Sequence, residues 1–361
     1  MPEIIKKVLA DCAHTSLPNS RIPGLVLTAR GCLLAYFEMR DSSGDWSAHG
    51  IGLMRSEDGG DTWEPFRAIA MSQHGETVNN PVMIACRNGD VHFLWQMDYG
   101  RCFHQISKDD GHSFSDPVEI TQYVYGFRDQ YPWKVMALGP GHGIELEDGR
   151  LLLSVWMANG KDVRAHSPSV AATLLSADSG RSWIPGKIIP DGGGVINPNE
   201  ACLFQKSDGT VVINIRHMGD TFYRAVARSD DAHSFSEPVF DTALPDPICF
   251  GSICKLQNPQ AHLSRGVVFS NCANFPCKEN NFSHARTLLT LRLSADDGET
   301  WSYARLLDKY AGYSDVAVSQ DGNWIYCLYE QETENTAQLG FHRLVFVKVP
   351  FSWLTADSLE N

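Results

Sequence analysis

The sequence predicts an all-β protein, a six-bladed β-propeller, and two observations lead to this prediction. One short turn motif recurs along the chain, and the residues before its clearest copy alternate in polarity as in a β-strand. The copies of the motif begin 51, 69, 53 and 65 residues apart. Recurrence at this length is typical of four-stranded sheets repeated around an axis. Five turns in 361 residues, at about one turn per 60 residues, fit six blades of which one has lost its turn.

The clearest copy of the turn is residues 294–301, which read S-A-D-D-G-E-T-W. In the strand before it, Leu289, Leu291 and Leu293 share one face, while Thr290 and Arg292 share the other. The aspartate of such a turn can accept hydrogen bonds from backbone N–H groups of the same turn. The glycine takes a positive φ, and the tryptophan packs back as an apolar pin.

The other copies keep this frame with small changes, and they are residues 56–63, 107–114, 176–183 and 229–235. Phenylalanine replaces tryptophan in the second and the last of these four. The last is also one residue short and lacks the glycine. Because the repeats extend along the chain and nothing resembles a linker, we expect one domain, residues 1–361.

Composition limits the classes of partner. A net charge of −13 argues against nucleic acid and against an anionic membrane surface. No apolar run is long enough for a signal peptide or a membrane span. The ten cysteines form neither C-x-x-C pairs nor a His/Cys metal frame, so we expect mostly free, buried thiols. These features favour a cytoplasmic protein, although a secreted protein whose signal had been removed would share them.

Two motifs resemble a known family. The repeated turn resembles the Asp-box (BNR) repeat of the sialidase-type propellers, which defines a scaffold because such turns also occur in non-catalytic propellers. Residues 139–153 read G-P-G-H-G-I-E-L-E-D-G-R-L-L-L. Its glycines permit a tight backbone passage, and D-G-R is an ordinary hairpin turn into a buried strand. This run is similar to the bacterial-type exo-α-sialidases (neuraminidases) and is more specific than the Asp boxes.

The first candidate residues lie near the start of the chain. Arg21, in R-I-P, reads by itself as an arginine that leads a strand whose backbone Pro23 constrains. The resemblance implies that Arg21 is the first arginine of a triad that grips the substrate carboxylate. An apolar strand follows from Leu25 to Phe37 and ends near Arg40. The family has an arginine at this strand end, so Arg40 is a predicted substrate-binding residue.

The loop after Arg40 contains two aspartates, Asp41 and Asp45. Charges in a connecting loop are usually only solvated. The family places its acid/base aspartate a few residues after the arginine, a spacing that favours Asp45 and leaves Asp41 as the alternative. Asp45 precedes the apolar Trp46, so its pKa could rise once a bound substrate excludes water, as a general acid requires.

A second pair of charges flanks a predicted hairpin. Glu200 leads one strand and Arg216 ends the next, and adjacent antiparallel strands bring such residues to the same end of a sheet. The family motif N-E…D-G…N-x-R matches here. It implies that Glu200 is the partner of the nucleophile and that Arg216 is the second triad arginine. Arg224 is a neighbour of similar chemistry and ranks below Arg216.

The remaining candidates come from the same resemblance. Arg286 matches the third triad arginine, Tyr313 in G-Y-S-D matches the nucleophilic tyrosine, and Glu330 matches the glutamate that supports the first arginine. Each alone has an ordinary reading, such as a core tyrosine, but seven positions match in the right order. Trp156 is either a core residue or, by resemblance, an aromatic platform for the sugar or the aglycone.

The implied activity is retaining hydrolysis of terminal sialic acids from sialylated glycans or oligosaccharides, without a metal or an organic cofactor. A different sugar acid, KDN or Kdo, is the alternative substrate. A propeller that binds glycans or proteins without catalysis is the alternative class, and its mark would be the loss of a residue named above. The N-acyl preference, the linkage, hydrolysis against transfer, and the oligomeric state stay open.

Overall fold

A computed structural model describes residues 3–12, 19–257, 263–275, 286–331 and 343–356. Within these ranges the chain forms 24 β-strands and two short α-helices, α1 (Thr121–Val124) and α2 (Phe351–Thr355). Two 3-10 helices cover Asp45–Ser47 and Tyr125–Asp129. The all-β prediction is therefore confirmed. Neither described α-helix is long and apolar enough to cross a membrane.

The strands pair in antiparallel fashion, and their bounds in chain order are β1 (Ile5–Asp11), β2 (Asn19–Leu27), β3 (Leu33–Arg40), β4 (Ala48–Ser56), β5 (Arg67–Met71), β6 (Val78–Ala85), β7 (Val91–Met97), β8 (Arg101–Ser107), β9 (Val118–Glu119), β10 (Val135–Leu138), β11 (Ile144–Glu145), β12 (Leu151–Ala158), β13 (Ser169–Ser176), β14 (Ile184–Pro185), β15 (Ala201–Gln205), β16 (Val211–Ile215), β17 (Tyr223–Ser229), β18 (Val239–Pro245), β19 (Ser252–Lys255), β20 (Val267–Cys272), β21 (Thr287–Ser294), β22 (Tyr303–Val318), β23 (Trp324–Gln331) and β24 (Arg343–Pro350).

The strands form a series of sheets that follow one another along the chain. Three sheets are simple four-stranded meanders, β2-β3-β4-β5, β6-β7-β8-β9 and β15-β16-β17-β18. A further sheet has the order β10-β12-β13-β14, with β11 also paired to β12. The last sheet has seven strands in the order β1-β24-β23-β22-β21-β20-β19.

The seven-stranded sheet consists of two halves that share the 16-residue strand β22. The first part of β22 pairs with β21, and its second part pairs with β23 after a register break. The first strands of successive sheets, together with the second strand β12 and the shared strand β22, contact one another in a closed cycle: β2 with β6, β6 with β10 and β11, β12 with β15, β15 with β19, β19 with β22, and β22 with β2. Most of these strands are buried on both faces, which explains why they are largely apolar.

The predicted turn contacts are confirmed. In the copy at residues 56–63, Asp58 accepts hydrogen bonds from the Thr62 backbone N–H at 2.8 Å and from the Thr62 hydroxyl at 2.6 Å. Gly60 has a φ of 90°, as the turn requires. The indole of Trp63 packs on Phe346 of β24, which belongs to the seven-stranded sheet, with ring centroids 4.9 Å apart. Each Asp box thus closes a hairpin and helps to join two sheets.

The topology shows where the five Asp boxes lie and where the turn is lacking. Each of the five Asp boxes joins the third and fourth strands of one group, for example β4 and β5. Beside β24 the fourth position is occupied by β1, from the other end of the chain, with Ile5 opposite Lys348. Because β24 and β1 are not consecutive, no hairpin turn is needed there.

The predicted strand from Leu25 to Phe37 is in fact two strands. β2 ends at Leu27 and β3 begins at Leu33, and the connecting turn is closed by the Gly31 N–H bonded to the Thr28 carbonyl at 2.9 Å. The turn contains the polar residues Thr28 and Arg30 and the glycine Gly31, so the sequence did carry a signal of the break between the two buried strands. The nine cysteines in the described ranges are free, and seven of them are buried.

Candidate active site

Tyr313 lies at the centre of the site because a backbone irregularity presents its side chain. The register of β22 against β23 breaks between Ala311 and Ser314, and such a bulge re-aims a side chain away from the regular strand. The phenol donates a hydrogen bond to Glu200 Oε1 at 2.7 Å. The backbone N–H of Tyr313 donates to Glu330 Oε2 at 3.1 Å. Tyrosine and both glutamates therefore form one connected group.

Three guanidinium groups lie over the same tyrosine ring. The Cζ atoms of Arg21, Arg216 and Arg286 are 5.6, 5.9 and 5.2 Å from the centroid of the Tyr313 ring. These arginines come from three different sheets, and the register of β2 also breaks between Arg21 and Gly24. The fold thus brings the three predicted arginines, which are far apart in the sequence, to one point.

Glu330 orients Arg21. Its Oε1 accepts hydrogen bonds from Arg21 Nε at 2.7 Å and from the Ile22 N–H at 3.0 Å. Glu330 is fully buried, and a buried carboxylate needs such partners to stay charged. Ile22 has a φ of 57°, a left-handed conformation that is costly for a β-branched residue. The backbone beside Arg21 is therefore strained where it delivers the arginine.

Glu200 and Arg216 meet at one end of a hairpin, as predicted. Glu200 precedes β15 and Arg216 follows β16, and the Arg216 N–H donates to the Glu200 carbonyl at 2.9 Å. Arg216 Nη1 contacts Glu200 Oε2 and also donates to the Tyr313 hydroxyl at 2.8 Å. Burial raises the pKa of Tyr313 well above its usual range, against the opposing attraction of Arg216.

Arg224, the neighbouring candidate, has a structural environment. It is fully buried and donates to Asn214 Oδ1 at 2.5 Å, to Asp246 Oδ2 at 3.1 Å and to the Cys249 carbonyl at 3.1 Å. These contacts tie β17 to the chain that follows β18. The geometry therefore separates Arg224 from the group around Tyr313 and agrees with its lower rank.

Asp45 lies in the loop after β3 and is held by Arg40. Arg40 Nη1 donates to Asp45 Oδ1 at 2.9 Å, while Arg40 Nε donates to Glu38 Oε2 at 2.7 Å. About half of the Asp45 side chain (49%) is exposed. Burial alone would raise the pKa of Asp45, but Arg40, Arg21 and a nearby histidine outweigh burial and lower it. The raised pKa expected with a bound substrate stays a prediction.

Asp41, the alternative to Asp45, points elsewhere. Its side chain is 72% exposed and lies 3.0 Å from His49 Nδ1. The described contacts therefore associate Asp45, and not Asp41, with the arginine that ends β3.

Trp156 has the contacts of a core residue. It is on β12, only 5% of it is exposed, and it clusters with Tyr99, Val135 and Ala137. Its role as a sugar or aglycone platform stays a prediction, and its indole Nε1 has no hydrogen-bond partner among the residues described.

A sequence model described as "BNR repeat-like domain" matches residues 70–326, well over half of the chain. The chain belongs to this family. The matched range contains four of the five Asp boxes, at residues 107–114, 176–183, 229–235 and 294–301.

Curated relatives of this BNR repeat-like protein are named as sialidases. The "Sialidase" of Bacteroides fragilis is 30% identical over 88% of this chain and 61% of its own length. The "Sialidase" of Micromonospora viridifaciens is 28% identical over 92% of this chain and 53% of its own length. The chain therefore spans less than two thirds of each relative.

A solved structure shares the fold. "Hadza microbial sialidase Hz136" superposes with a TM-score of 0.79 and 22% identity, covering 97% of this chain and 69% of that one. At this identity the likeness shows the fold.

Sequence reasoning missed one residue of the site, His166, in the loop between β12 and β13. His166 Nδ1 lies 3.5 Å from Asp45 Oδ2, and its ring centroid is 5.1 Å from that of Tyr99 and 5.2 Å from that of Trp156. This loop is polar and has no motif, so the sequence offered no signal beyond a histidine two residues before Pro168.

A cavity of about 580 Å³ lies away from the group around Tyr313. Its walls include Val316–Val318 of β22, Leu25–Leu27 of β2 and Leu203–Gln205 of β15. In each of these strands the cavity residues come after the site residue, so the cavity lies toward the other ends of the same strands. The buried pair His142 and Asp315, 2.8 Å apart, lies near the cavity wall.

Proposed function

We propose that this protein is a retaining exo-α-sialidase that releases terminal sialic acids from glycans or oligosaccharides. One observation carries the proposal. Three guanidinium groups lie 5.2 to 5.9 Å from the ring of Tyr313, whose hydroxyl is 2.7 Å from a Glu200 oxygen. The relatives named as sialidases support the same activity.

The charges of this group call for an anionic ligand. Arg21 pairs with Glu330 and Arg216 with Glu200. Arg286 donates to the Ile248 carbonyl at 3.1 Å, and no carboxylate of the described residues lies within ion-pair distance of it. An excess positive charge therefore stands in a protein whose net charge is −13. Guanidinium forks match the oxygens of a carboxylate, and a sialic acid carries its carboxylate on the anomeric carbon.

A tyrosine suits an attack beside that carboxylate. A carboxylate nucleophile about 4 Å from the substrate anion would meet a Coulomb cost of roughly 1 kcal/mol in water and about 4 kcal/mol at an effective dielectric near 20. A neutral phenol avoids this repulsion. Because burial raises the pKa of Tyr313, the phenol needs a base. Glu200 would accept its proton, while the hydrogen bond from Arg216 stabilises the developing phenolate.

Asp45 would complete the reaction as acid and then base. It gives its proton to the glycosidic oxygen as the C–O bond breaks, and Tyr313 Oη bonds to the anomeric carbon. It then takes a proton from the water that displaces the tyrosine. Two displacements at one carbon give retention of configuration. Arg40 would hold the carboxyl in place, and this chemistry needs neither a metal nor an organic cofactor.

We also propose that the sheets are the six blades of one propeller domain. The division of the seven-stranded sheet at β22 and the closed cycle of contacts between strands of successive sheets support this architecture. It would place Arg21, Arg216, Arg286 and Tyr313 around one axis, each on a different blade.

The test compares turnover of an aryl α-sialoside by the wild-type protein and by Tyr313→Phe. We expect wild-type hydrolysis with release of the α-anomer first, observed by NMR, and loss of turnover in the variant. Tyr303→Phe is the matched control, because Tyr303 is exposed on the same strand, β22. It should retain wild-type turnover.

Three results would contradict the proposal. Equal turnover by Tyr313→Phe would remove the tyrosine mechanism. Turnover of KDN or Kdo glycosides in preference to the N-acylated sialoside would change the substrate. Binding of sialosides without any turnover would make the protein a glycan-binding propeller.

A further inference from the structure

We propose that His166 is a positioning residue whose Nδ1–H holds the carboxyl group of Asp45, the group that protonates the leaving group. This inference rests on the proposed function, because it assigns the support of the acid in that same reaction. Neither the sequence motifs nor the comparisons point to His166.

The first argument is the contact with the carboxyl group. Asp45 Oδ1 accepts a hydrogen bond from Arg40 at 2.9 Å, and Asp45 Oδ2 lies 3.5 Å from His166 Nδ1. The arginine cannot take part in proton exchange, since it stays charged at all working pH values. His166 is therefore the titratable partner of the carboxyl group in this pair of contacts.

The second argument is the way in which the imidazole is held. Its ring centroid lies 5.1 Å from Tyr99, 5.2 Å from Trp156 and 6.4 Å from Trp46. The Tyr99 hydroxyl also donates to the Asp45 backbone carbonyl at 3.3 Å. The same aromatic residues thus support both the histidine and the loop that carries the aspartate. This gives the buried Trp156 a supporting role behind the site.

The third argument is the direction of the polar contacts of the ring. His166 Nε2 is buried and has no hydrogen-bond partner among the residues that the structure describes. An unpaired lone pair is less costly there than an unpaired N–H. The neutral ring would therefore carry its hydrogen on Nδ1, the nitrogen that faces Asp45.

Burial and the surrounding charges favour a neutral ring beside an ionised carboxyl group. Burial lowers the pKa of His166, against the attraction of Asp45 and Glu200. Arg40, Arg21 and His166 outweigh burial and lower the pKa of Asp45. At neutral pH the pair is therefore a carboxylate that faces the Nδ1–H of a neutral imidazole. The groups that face the histidine or its aromatic neighbours are Asp45, Glu200, Arg40, Arg216, Arg164 and Tyr99.

The proton balance is as follows. Protonated Asp45 gives H⁺ to the glycosidic oxygen, and that oxygen keeps the electron pair of the broken C–O bond. Asp45 is then a carboxylate between Arg40 and the Nδ1–H of neutral His166. When water attacks the tyrosyl intermediate, Asp45 accepts the proton that the water releases, which restores the starting state.

The test uses leaving groups of different basicity. An aryl α-sialoside leaves as a stabilised phenolate and needs little acid, whereas the galactose oxygen of sialyllactose needs the proton. For His166→Gln we expect kcat/KM on sialyllactose to fall about tenfold, less than the roughly 10²- to 10⁴-fold effect of losing the general acid itself, because His166 acts through Asp45. On the aryl sialoside we expect it to change less than about twofold, since that leaving group bypasses the acid. The pH profile for sialyllactose should shift, while that for the aryl substrate should not.

The matched control is His49→Gln. His49 lies on β4, just after the loop that carries Asp45, and its Nδ1 is 3.0 Å from Asp41. The substitution therefore removes a comparable His–Asp contact outside the site. This variant should behave as wild type with both substrates. Asp45→Ala combined with His166→Gln should be no worse than Asp45→Ala alone, because His166 acts through Asp45.

Equal losses on both substrates, or an unchanged sialyllactose pH profile, would overturn the inference and leave His166 a packing residue. Additive losses in the double variant would do the same. Absence of wild-type turnover with both substrates would overturn the proposed function and this inference together. Wild-type activity that His166→Gln leaves unchanged would overturn this inference alone.

Discussion

At the level of single residues, Glu200 makes the contact on which the proposed chemistry depends. One of its oxygens accepts the Tyr313 hydroxyl, and the other contacts Arg216. The carboxylate is thus oriented by a cation while it faces the proton that it would remove. A substitution that keeps the shape of Glu200 but cannot accept a proton separates a positioning role from a role as the base.

For Glu200→Gln we expect kcat to fall about 10²- to 10⁴-fold, the usual contribution of a general base. KM should change much less, because the amide can still accept a hydrogen bond from Tyr313. Steady-state kinetics on an aryl sialoside measure both. Glu147→Gln is the control, since that carboxylate is 63% exposed and lies 3.6 Å from Lys255 beside the distant cavity. A Glu200→Gln variant with wild-type kcat would exclude the base role.

At the level of elements, the Asp boxes join neighbouring sheets as well as their own strands. A Cβ atom at Gly60 would lie 2.2 Å from the Phe346 ring of β24, and its backbone is left-handed. At Gly31, in the turn between β2 and β3, the backbone is equally left-handed but nothing lies within 4 Å of a Cβ atom. A comparison of alanine substitutions at these two glycines therefore separates the cost of backbone strain from the cost of close packing between sheets.

Alanine at Gly31 should cost about 1–2 kcal/mol of unfolding free energy from backbone strain alone. Alanine at Gly60 should cost about 1–3 kcal/mol more, because it also overpacks against Phe346. Chemical denaturation of both variants measures the difference. Equal losses would show that the Asp box does not pack tightly against β24.

At the level of the whole molecule, one buried carboxylate links several sheets. Asp315 of β22 accepts hydrogen bonds from the Leu25 N–H of β2 at 2.8 Å and from His142 Nδ1 at 2.8 Å, and it also contacts the Ser252 hydroxyl of β19. Although burial alone would lower the pKa of His142, Asp315 raises it above 6.5. The charged histidine therefore stabilises the assembled sheets.

This pair predicts a pH dependence of stability. A histidine whose pKa is higher in the folded state contributes stability that is fully present below pH 6.5 and is lost as the pH rises through the folded value. The wild type should therefore melt at a higher temperature than His142→Gln. The difference between the two melting temperatures should be largest at low pH and should shrink toward alkaline pH. His74→Gln, at an exposed position, should show no such trend. A difference that grows with pH would contradict the assignment.

The sequence by itself determined what depends on short stretches of chain. The Asp-box turns, the alternating strand before the turn at residues 294–301 and the end-to-end pairing of Glu200 with Arg216 all follow from residues within one hairpin. The arginines, Tyr313 and Glu330 were found by resemblance to a family motif, and their roles stay a prediction that the proposed experiments test. The turn between Leu25 and Phe37 had a signal in Thr28, Arg30 and Gly31, and the prediction of a single strand overlooked it in favour of the apolar residues on both sides.

Only the tertiary structure decided the rest. It placed β1 beside β24, buried Trp156, gave Arg224 its own partners, and brought His166 to Asp45 from a loop more than a hundred residues away. Each of these outcomes depends on which distant segments meet when the sheets assemble. Such contacts are decided by long-range packing, and polarity patterns within a strand or a turn carry no information about them.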